Sequence, residues 1–312
     1  MQPPQRIQNH LVKLTVEPHI MQHLELITAL PRLSELVVSC FGLDMDTFDS
    51  RAAILRTSTG RAIDSITVSY ARPEVVELLM RLFVDVQTLR WKWCLIVPDG
   101  NPKSLASPLA VRNLEVIGCS GIFLPYVAHM LARERVESLK VELIHHIDGG
   151  HEAFLDDFIQ WFPHLNAYHH IDISGLSEDI RAYLPGLSRY TALSSAALTT
   201  EALDHATYPE RFQDVLIFLA ALPVGIRRIA LVYEISWTTA AELTERVRQA
   251  DWASVGRAVE RYTALEVLEV SVENENVSVP DGEAVSLVET SQAQAVVSAA
   301  LPERLRSILV FK

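Results

Sequence analysis

Positive charge is scarce in this 312-residue chain: 27 lysines and arginines stand against 39 aspartates and glutamates, a formal net charge of −12. Proteins that bind nucleic acid neutralise phosphates with a basic stripe, and none runs through this sequence, which argues against a nucleic-acid partner. The same balance disfavours the anionic surface of a membrane. Cysteine is rarer still, with only Cys40, Cys94 and Cys119. An odd number at irregular spacing makes no disulfide framework and predicts reduced thiols in the cytosol or the nucleus. Long apolar runs are missing. The longest, Val215 to Ile226, is interrupted by Pro223 and falls short of the roughly 20 residues that span a bilayer. The first residues, Met1 to His10, are polar and lack the apolar core of a secretory leader. Also missing are a Walker A loop, G-x-G-x-x-G, H-E-x-x-H and C-x-x-C, so no cofactor is expected.

What is present is a repeat. Hydrophobic residues make up 49% of the chain and charged residues 21%, the balance of a folded protein. An L-x-x-L-x-L motif, with aliphatic or aromatic residues at the L positions, recurs as Leu11-Leu14-Val16, Leu33-Leu36-Val38, Ile63-Ile66-Val68, Val86-Leu89-Trp91, Val111-Leu114-Val116 and Val136-Leu139-Val141. It returns as Ile226-Ile229-Leu231, Leu265-Leu268-Val270 and Leu305-Ile308-Val310. Leu14 and Leu36 are 22 residues apart; Leu89, Leu114 and Leu139 follow at 25; the late units stretch to 39 and 40. The last two apolar positions alternate with polar ones, as in a strand buried on one face. Between the motifs the apolar spacing is helical, as in Val75, Val76, Leu79, Leu82 and Phe83, in Phe154, Leu155, Phe158, Ile159 and Phe162, and in Phe212, Val215, Leu216 and Leu219. Thr207 with Glu210 and Thr239 with Glu242 have capping-box spacing at two helix starts. A large apolar residue followed by proline closes the helical segments at Leu30-Pro31, Phe162-Pro163, Leu184-Pro185, Leu222-Pro223 and Leu301-Pro302, because proline cannot continue a helix. In the middle the register stays open: either Leu165-Tyr168 or Ile171-Ile173 is the inward set.

Strand, turn, helix and return at this spacing resembles the leucine-rich-repeat superfamily, especially its ribonuclease-inhibitor-like branch. Val86-Leu89-Trp91-Cys94 and Val111-Leu114-Val116-Cys119 match the fuller form, in which Asn or Cys turns inward at the strand's end; Cys40 lies one residue early. The resemblance implies an α/β fold: a horseshoe solenoid with a parallel sheet on the concave face and helices on the convex face, here one domain over 1–312 with about eleven irregular units. The irregular lengths and the L-P-x-L helix ends are similar to the repeat regions of fungal F-box proteins, which present substrates to a ubiquitin ligase. The F-box itself has no counterpart ahead of Leu11. An eight-stranded β/α barrel is disfavoured, because barrel strands read as continuous apolar runs, whereas here Lys13 and Thr15, Thr67 and Ser69, Arg90 and Lys92, and Lys140 and Glu142 line one side.

The expected function is therefore a protein-interaction module and not an enzyme, possessing no catalytic or metal residues. Residues between the L positions form the expected binding face: Lys13, Thr15, Glu35, Thr67, Arg90 and Lys92 in the first strands, then Glu115, Lys140, Glu142, Arg228 and Glu269. Arg90, Glu115 and Lys140 hold the same position in consecutive units and predict a charge ladder of alternating sign. The alternative is an enzyme with a metal site in I-H-H-I-D-G-G-H, from His145, His146, Asp148 and His151, echoed by His169, His170 and Asp172. The plainer reading of those residues is a solvated loop and a polar strand end. Cys119, in Gly118-Cys119-Ser120-Gly121, reads better as the inward repeat cysteine than as a nucleophile. Trp91 and Trp93 share the parity of Leu89 and are expected in the core. The segment between Arg261 and Arg304 holds no Lys, Arg or His but many carboxylates, Glu266, Glu269 and Glu273 among them; it reads as a solvated acidic lobe or as a docking surface for a basic segment. Strand sequence close to both ends predicts poor capping, and with it either a longer native protein or end-to-end self-association.

Overall fold

In a computed structural model of the chain, the residues described are 11–16, 27, 30–40, 61–71, 82–94, 108–119, 123–143, 159–172, 184–201, 208–235, 248, 250–274 and 287–312. Two compact units divide it, Met1–His164 and Leu165–Lys312.

The first unit carries six strands: β1 (Lys13–Val16), β2 (Glu35–Ser39), β3 (Arg61–Ser69), β4 (Phe83–Lys92), β5 (Ala110–Cys119) and β6 (Ser138–Leu143). Each pairs with the next in parallel, in sequence order. Leu14, Leu36, Ile66, Leu89, Leu114 and Leu139 are register partners across the sheet, so the middle leucine of the sequence motif is one continuous column. From Leu36 to Leu139 its members are no more than 2% exposed. The next column, Val38, Val68, Trp91, Val116 and Val141, is as deeply buried. Each such side chain contributes about 1.5–3 kcal/mol by leaving water. Helix α1 (Phe123–Met130) precedes a 3-10 turn, Arg133–Arg135, that feeds β6.

The second unit carries β7 (Ala167–Asp172), β8 (Ser195–Glu201), β9 (Arg228–Ile235), β10 (Val267–Asn274) and β11 (Leu309–Phe311), again parallel and in order. Helices α2 (Tyr208–Ala221), α3 (Trp252–Glu260), α4 (Leu287–Ala300) and α5 (Glu303–Arg306) fill the returns. Val215, Phe218 and Leu219 of α2 are buried, as are Val255 and Val259 of α3. Trp252 at the start of α3 meets Tyr233 of β9 edge-on, ring centroids 5.8 Å apart. Asp251 caps α3 by accepting from the Ser254 amide at 3.0 Å, a cap that lies outside the capping boxes read from the sequence.

The open register in the middle resolves to Leu165, Tyr168 and His170 as the inward set: Tyr168 is 2% exposed and His170 6%, and the Tyr168 hydroxyl lies 3.1 Å from His170 Nδ1. A histidine thus occupies an aliphatic slot, tolerated because a buried tyrosine answers it. The next unit uses Leu193, Ala196 and Leu198. The last unit departs from expectation by one residue. Leu268 pairs with Leu309, not with Ile308, and Val310 pairs with Glu269 and is 41% exposed. A short edge strand has no following strand to enforce the parity of its side chains.

A common turn precedes the strands. The first L residue donates its amide to the carbonyl three residues back, as in Leu33 to Leu30, Leu193 to Tyr190, Ile226 to Pro223 and Leu265 to Tyr262. Pro223 and Pro302 follow α2 and α4 as expected; Leu184-Pro185 opens a 3-10 helix, Leu184–Arg189, and the segment before it lies outside the described residues. Proline fits a first helical turn as well as a stop, since its missing N–H has no partner there anyway. Arginines tie these turns to the next unit. Arg61 donates to the carbonyls of Leu30 and Leu33. Arg261 donates to those of Leu219 (3.0 Å), Ala220 (2.7 Å) and Leu222 (2.9 Å), satisfying the end of α2. Arg304 does the same at Tyr262 (3.0 Å) and Thr263 (3.2 Å).

Candidate functional site

Alternation places the non-leucine positions of each strand on the opposite face. In the first unit they form rows. Lys13, Glu35, Ser65, Thr88, Asn113 and Ser138 are register partners, and beyond them run Thr15, Val37, Thr67, Arg90, Glu115 and Lys140. Lys13 Nζ meets Glu35 Oε1 at 2.7 Å. Arg90 Nε donates to Glu115 Oε2 at 3.0 Å, and its Nη1 to Ser65 Oγ at 3.1 Å. Glu115 sits between Arg90 and Lys140 in the register, as the 25-residue spacing requires. With side chains 35% and 21% exposed, the Arg90–Glu115 pair is worth about 0.2–1 kcal/mol. A third row holds Ser39, Ser69, Lys92, Ile117 and Glu142. Of the expected face residues in this unit, Lys13 and Thr15 are exposed, and Glu35, Thr67, Arg90, Lys92, Glu115 and Lys140 are partly exposed, whereas Glu142 is buried.

Three strands of this unit end alike. Tyr70, Trp93 and Gly118, one step past register partners, have φ of 55°, 58° and 62°. This left-handed step inserts one residue and turns the following one, Ala71, Cys94 or Cys119, into the core at 1% exposure or less. It also overturns the expectation for Trp93. Trp91 is fully buried, but Trp93 is 41% exposed, because the reversed backbone takes it out of strand parity. Its indole lies across Gly118, where an added Cβ would come within 2.7 Å of Cε3. The sequence signals for this step were Gly118 itself and the pairing of an aromatic with a buried Cys or Ala.

Cys40, Cys94 and Cys119 are free and buried. The hydrogen bond to Cys94, together with burial, holds the Cys119 thiol well above its ordinary pKa. Burial and the neighbouring Cys94 push Cys40 up to about 12; although one residue early in the sequence, it reaches the same interior.

Where the strands start, the first unit opens a cleft of about 290 Å³. Leu33 and Ile63 line its floor, and Asp64, Asp85, Gln87, Arg112 and Arg135 its walls. Arg112 has a loose, exposed pair with Glu137 at 3.5 Å. Reading the L-x-x-L-x-L motif misses this site, because its residues flank the first L, outside the alternating part.

The second unit's face is plainer. Arg228 and Lys312 both bind Glu269, at 2.6 and 2.9 Å. Arg228 is exposed, but Glu269 is 8% exposed. Burial alone would raise its pKa, yet the hydrogen bonds from Lys312 and Arg228 outweigh it and hold the carboxyl below the ordinary value. Ala197 and Ala230 separate this cluster from His169, whose Nε2 lies 2.7 Å from Thr199 Oγ1. Glu266 pairs with Arg227 at 3.3 Å. The carboxylates of Glu266, just before β10, and of Glu269 within it are thus matched by cations from outside the base-free segment. The register also sets Glu201, Glu234 and Glu273 at one position of three neighbouring strands.

The loop with His145, His146, Asp148 and His151 lies outside the described residues, as do the capping threonines Thr207 and Thr239. Among the described residues no group of three or more His, Cys, Asp or Glu side chains is placed to hold a metal ion, and no helix is long and apolar enough to cross a membrane. His169 and His170 point to opposite faces of β7, His170 inward and His169 outward.

No family model matches the chain, and no curated protein matches it. Among solved structures, the chain is similar to the crystal structure of the leucine-rich repeat-containing protein LegL7 from Legionella pneumophila, with a TM-score of 0.47 and 12% identity over 97% of this chain and 84% of that one.

Proposed function

We infer that the protein is a protein-interaction module that holds a partner polypeptide across the polar face of its parallel strands. One observation supports this above others. In the first unit, polar and charged side chains from neighbouring strands stand in rows, partly exposed, on a sheet whose other face is the core. Such a face is preorganised, because backbone pairing fixes every position and little ordering is left to the partner. The resemblance to fungal F-box proteins narrows the reading: the partner is a substrate held for ubiquitin transfer, and this chain is its recognition region. In a second mode, one copy pairs end to end with another along β11, whose Val310 is exposed.

Immobilised protein tests the reading. Thr67→Arg with Lys140→Glu changes the first face while leaving the core columns intact. Arg257→Glu, on the exposed side of α3, changes a helix surface by a comparable amount. A partner retained by the parent and by Arg257→Glu, but lost by the double variant, is the expected result. Capture that ignores the strand face, or that Arg257→Glu alone abolishes, overturns it.

A further inference from the structure

The cleft at the strand starts of the first unit is amphoteric, and its two charges are segregated. Asp64 of β3 and Asp85 of β4 stand on one side, and Arg112 of β5 and Arg135 of the following 3-10 turn on the other, with Gln87 of β4 between. Among the described residues, the side chains of Asp64, Asp85, Gln87 and Arg135 make no hydrogen bond or ion pair within the chain. Among the described residues, the Arg112 side chain is engaged by Glu137 alone, in a loose pair with side chains 56% and 47% exposed, which a ligand carboxylate can displace. Arg61, the other cation nearby, is committed to the carbonyls of Leu30 and Leu33. Elsewhere on this sheet, charges of opposite sign are paired across neighbouring strands, as in Lys13–Glu35 and Arg90–Glu115. Here two carboxylates and a guanidinium are left open toward a shared space.

We propose that this cleft receives an extended segment of the partner polypeptide with a basic and an acidic side chain three residues apart, the base between Asp64 and Asp85 and the acid on Arg112 and Arg135. The proposal rests on the protein-interaction reading above. The spacing follows from the register. Ile63 pairs with Val86 and Val86 with Val111, so Asp64, Gln87 and Arg112 are successive neighbours, and two strand steps of about 4.8 Å separate the charges by about 9.6 Å. A polyproline-II segment, with three residues per turn and about 3.1 Å rise, sets residues i and i+3 on one side about 9.3 Å apart. A β-strand points i and i+3 to opposite sides, and a helix brings them to about 4.5 Å along its axis, too short to reach both ends. Gln87, midway, supplies a donor and an acceptor for the segment's backbone, which polyproline II leaves unpaired. The base can precede or follow the acid along the segment, because the cleft reads the two charges and not the backbone polarity.

The probe is a fluorescently labelled peptide containing Lys-Pro-Pro-Glu, titrated with the full chain and followed by polarisation. The expected result is saturable binding that weakens as salt rises. It is at least tenfold weaker for Lys-Pro-Pro-Lys and Glu-Pro-Pro-Glu peptides, and at least tenfold weaker for Asp64→Asn with Asp85→Asn and for Arg112→Gln with Arg135→Gln. Asp85→Glu keeps most of the affinity. Melting temperatures confirm that these changes at exposed positions leave the fold intact. Equal binding of the like-charged peptides, no saturation up to about 5 mM, or unchanged affinity in both neutralised variants overturns the proposal. So does displacement by free lysine as effective as by the peptide itself, which would make the occupant a small zwitterion. If the peptide fails while partner capture still depends on Thr67 and Lys140, this inference falls and the interaction reading stands. If the peptide binds while capture ignores those residues, that reading falls by itself.

Discussion

Replacing Gly118 with alanine tests the left-handed step that ends the strands of the first unit. Two costs are combined there. Gly118 has φ of 62°, a conformation that costs an L-residue about 1–2 kcal/mol. The new Cβ would also lie 2.7, 2.9 and 3.0 Å from Cε3, Cδ2 and Cζ3 of Trp93, closer than real contacts allow. Trp93 is 41% exposed, so its indole has room to swing outward, and the overpacking cost falls toward the low end of the usual range, about 1 kcal/mol. Together Gly118→Ala should cost about 2–3 kcal/mol, or roughly 4–12 °C in melting temperature for a unit of this size. In a Trp93→Ala background only the backbone cost remains. The double-mutant cycle should therefore show a coupling of about 1 kcal/mol, read by far-UV circular dichroism so that loss of a tryptophan does not disturb the signal. Equal cost in both backgrounds would mean that the indole does not lie over Gly118. A cost below about 0.5 kcal/mol would mean that the position is not left-handed.

Arg261→Met removes three hydrogen bonds to the end of α2 while keeping an apolar stem against Tyr262; a loss of about 2 kcal/mol in urea unfolding is expected, and a loss below about 0.5 kcal/mol would mean that water satisfies those carbonyls equally well. Gly256→Ala should destabilise by about 1–2 kcal/mol despite better helix propensity, because its Cβ would lie 2.7 Å from Pro302 Cδ; calorimetry showing a gain would contradict that packing. Glu269 has a lowered pKa, from Lys312 and Arg228 overcoming burial, so its contribution is complete above the ordinary carboxylate range and disappears as pH falls through the lowered value. The melting-temperature gap between the parent and Lys312→Met should accordingly be widest near neutrality and shrink in acid, and a gap independent of pH would refute the pairing. In the folded protein none of the three thiols should react rapidly with a disulfide reagent, since all three are buried, and all should react in denaturant.

The parallel stack was legible because burial imposes a repeat. The column from Leu14 to Leu139 is the L-x-x-L-x-L marker read directly, and the charge ladder followed by counting 25 residues. Legibility failed where something other than burial decides the register. Tyr168 and His170 satisfy each other by a hydrogen bond, so an inward pair need not look apolar. Trp93 left the core because the backbone reversed before it, a choice made by φ and invisible to alternation. Val310 faces solvent because β11, at the edge of its sheet, is paired only with β10 among the described residues. The face residues were placed by parity, but Glu142 and Glu269 are buried on that face, Glu269 within a cluster of cations from β9 and the end of the chain, and no count along one strand foresees a partner 41 residues away.

That division explains why such a sequence discloses its fold more readily than the chemistry of its exposed face. A core leucine is held by about 1.5–3 kcal/mol of burial and is answered by the equivalent residue of the next strand, so substitutions there are constrained in every unit alike. A face residue such as Thr67 or Lys140 contributes a fraction of a kilocalorie through its neighbours, and a change there leaves the register untouched. The face is therefore free to diverge position by position, and its pattern need not repeat. The cleft at the strand starts follows the same logic. Asp64, Gln87 and Arg112 hold one structural position on three strands yet carry an acid, an amide and a base, so nothing in the repeat requires them. Side chains that the repeat does not need for folding can differ in chemistry from one strand to the next without disturbing the register.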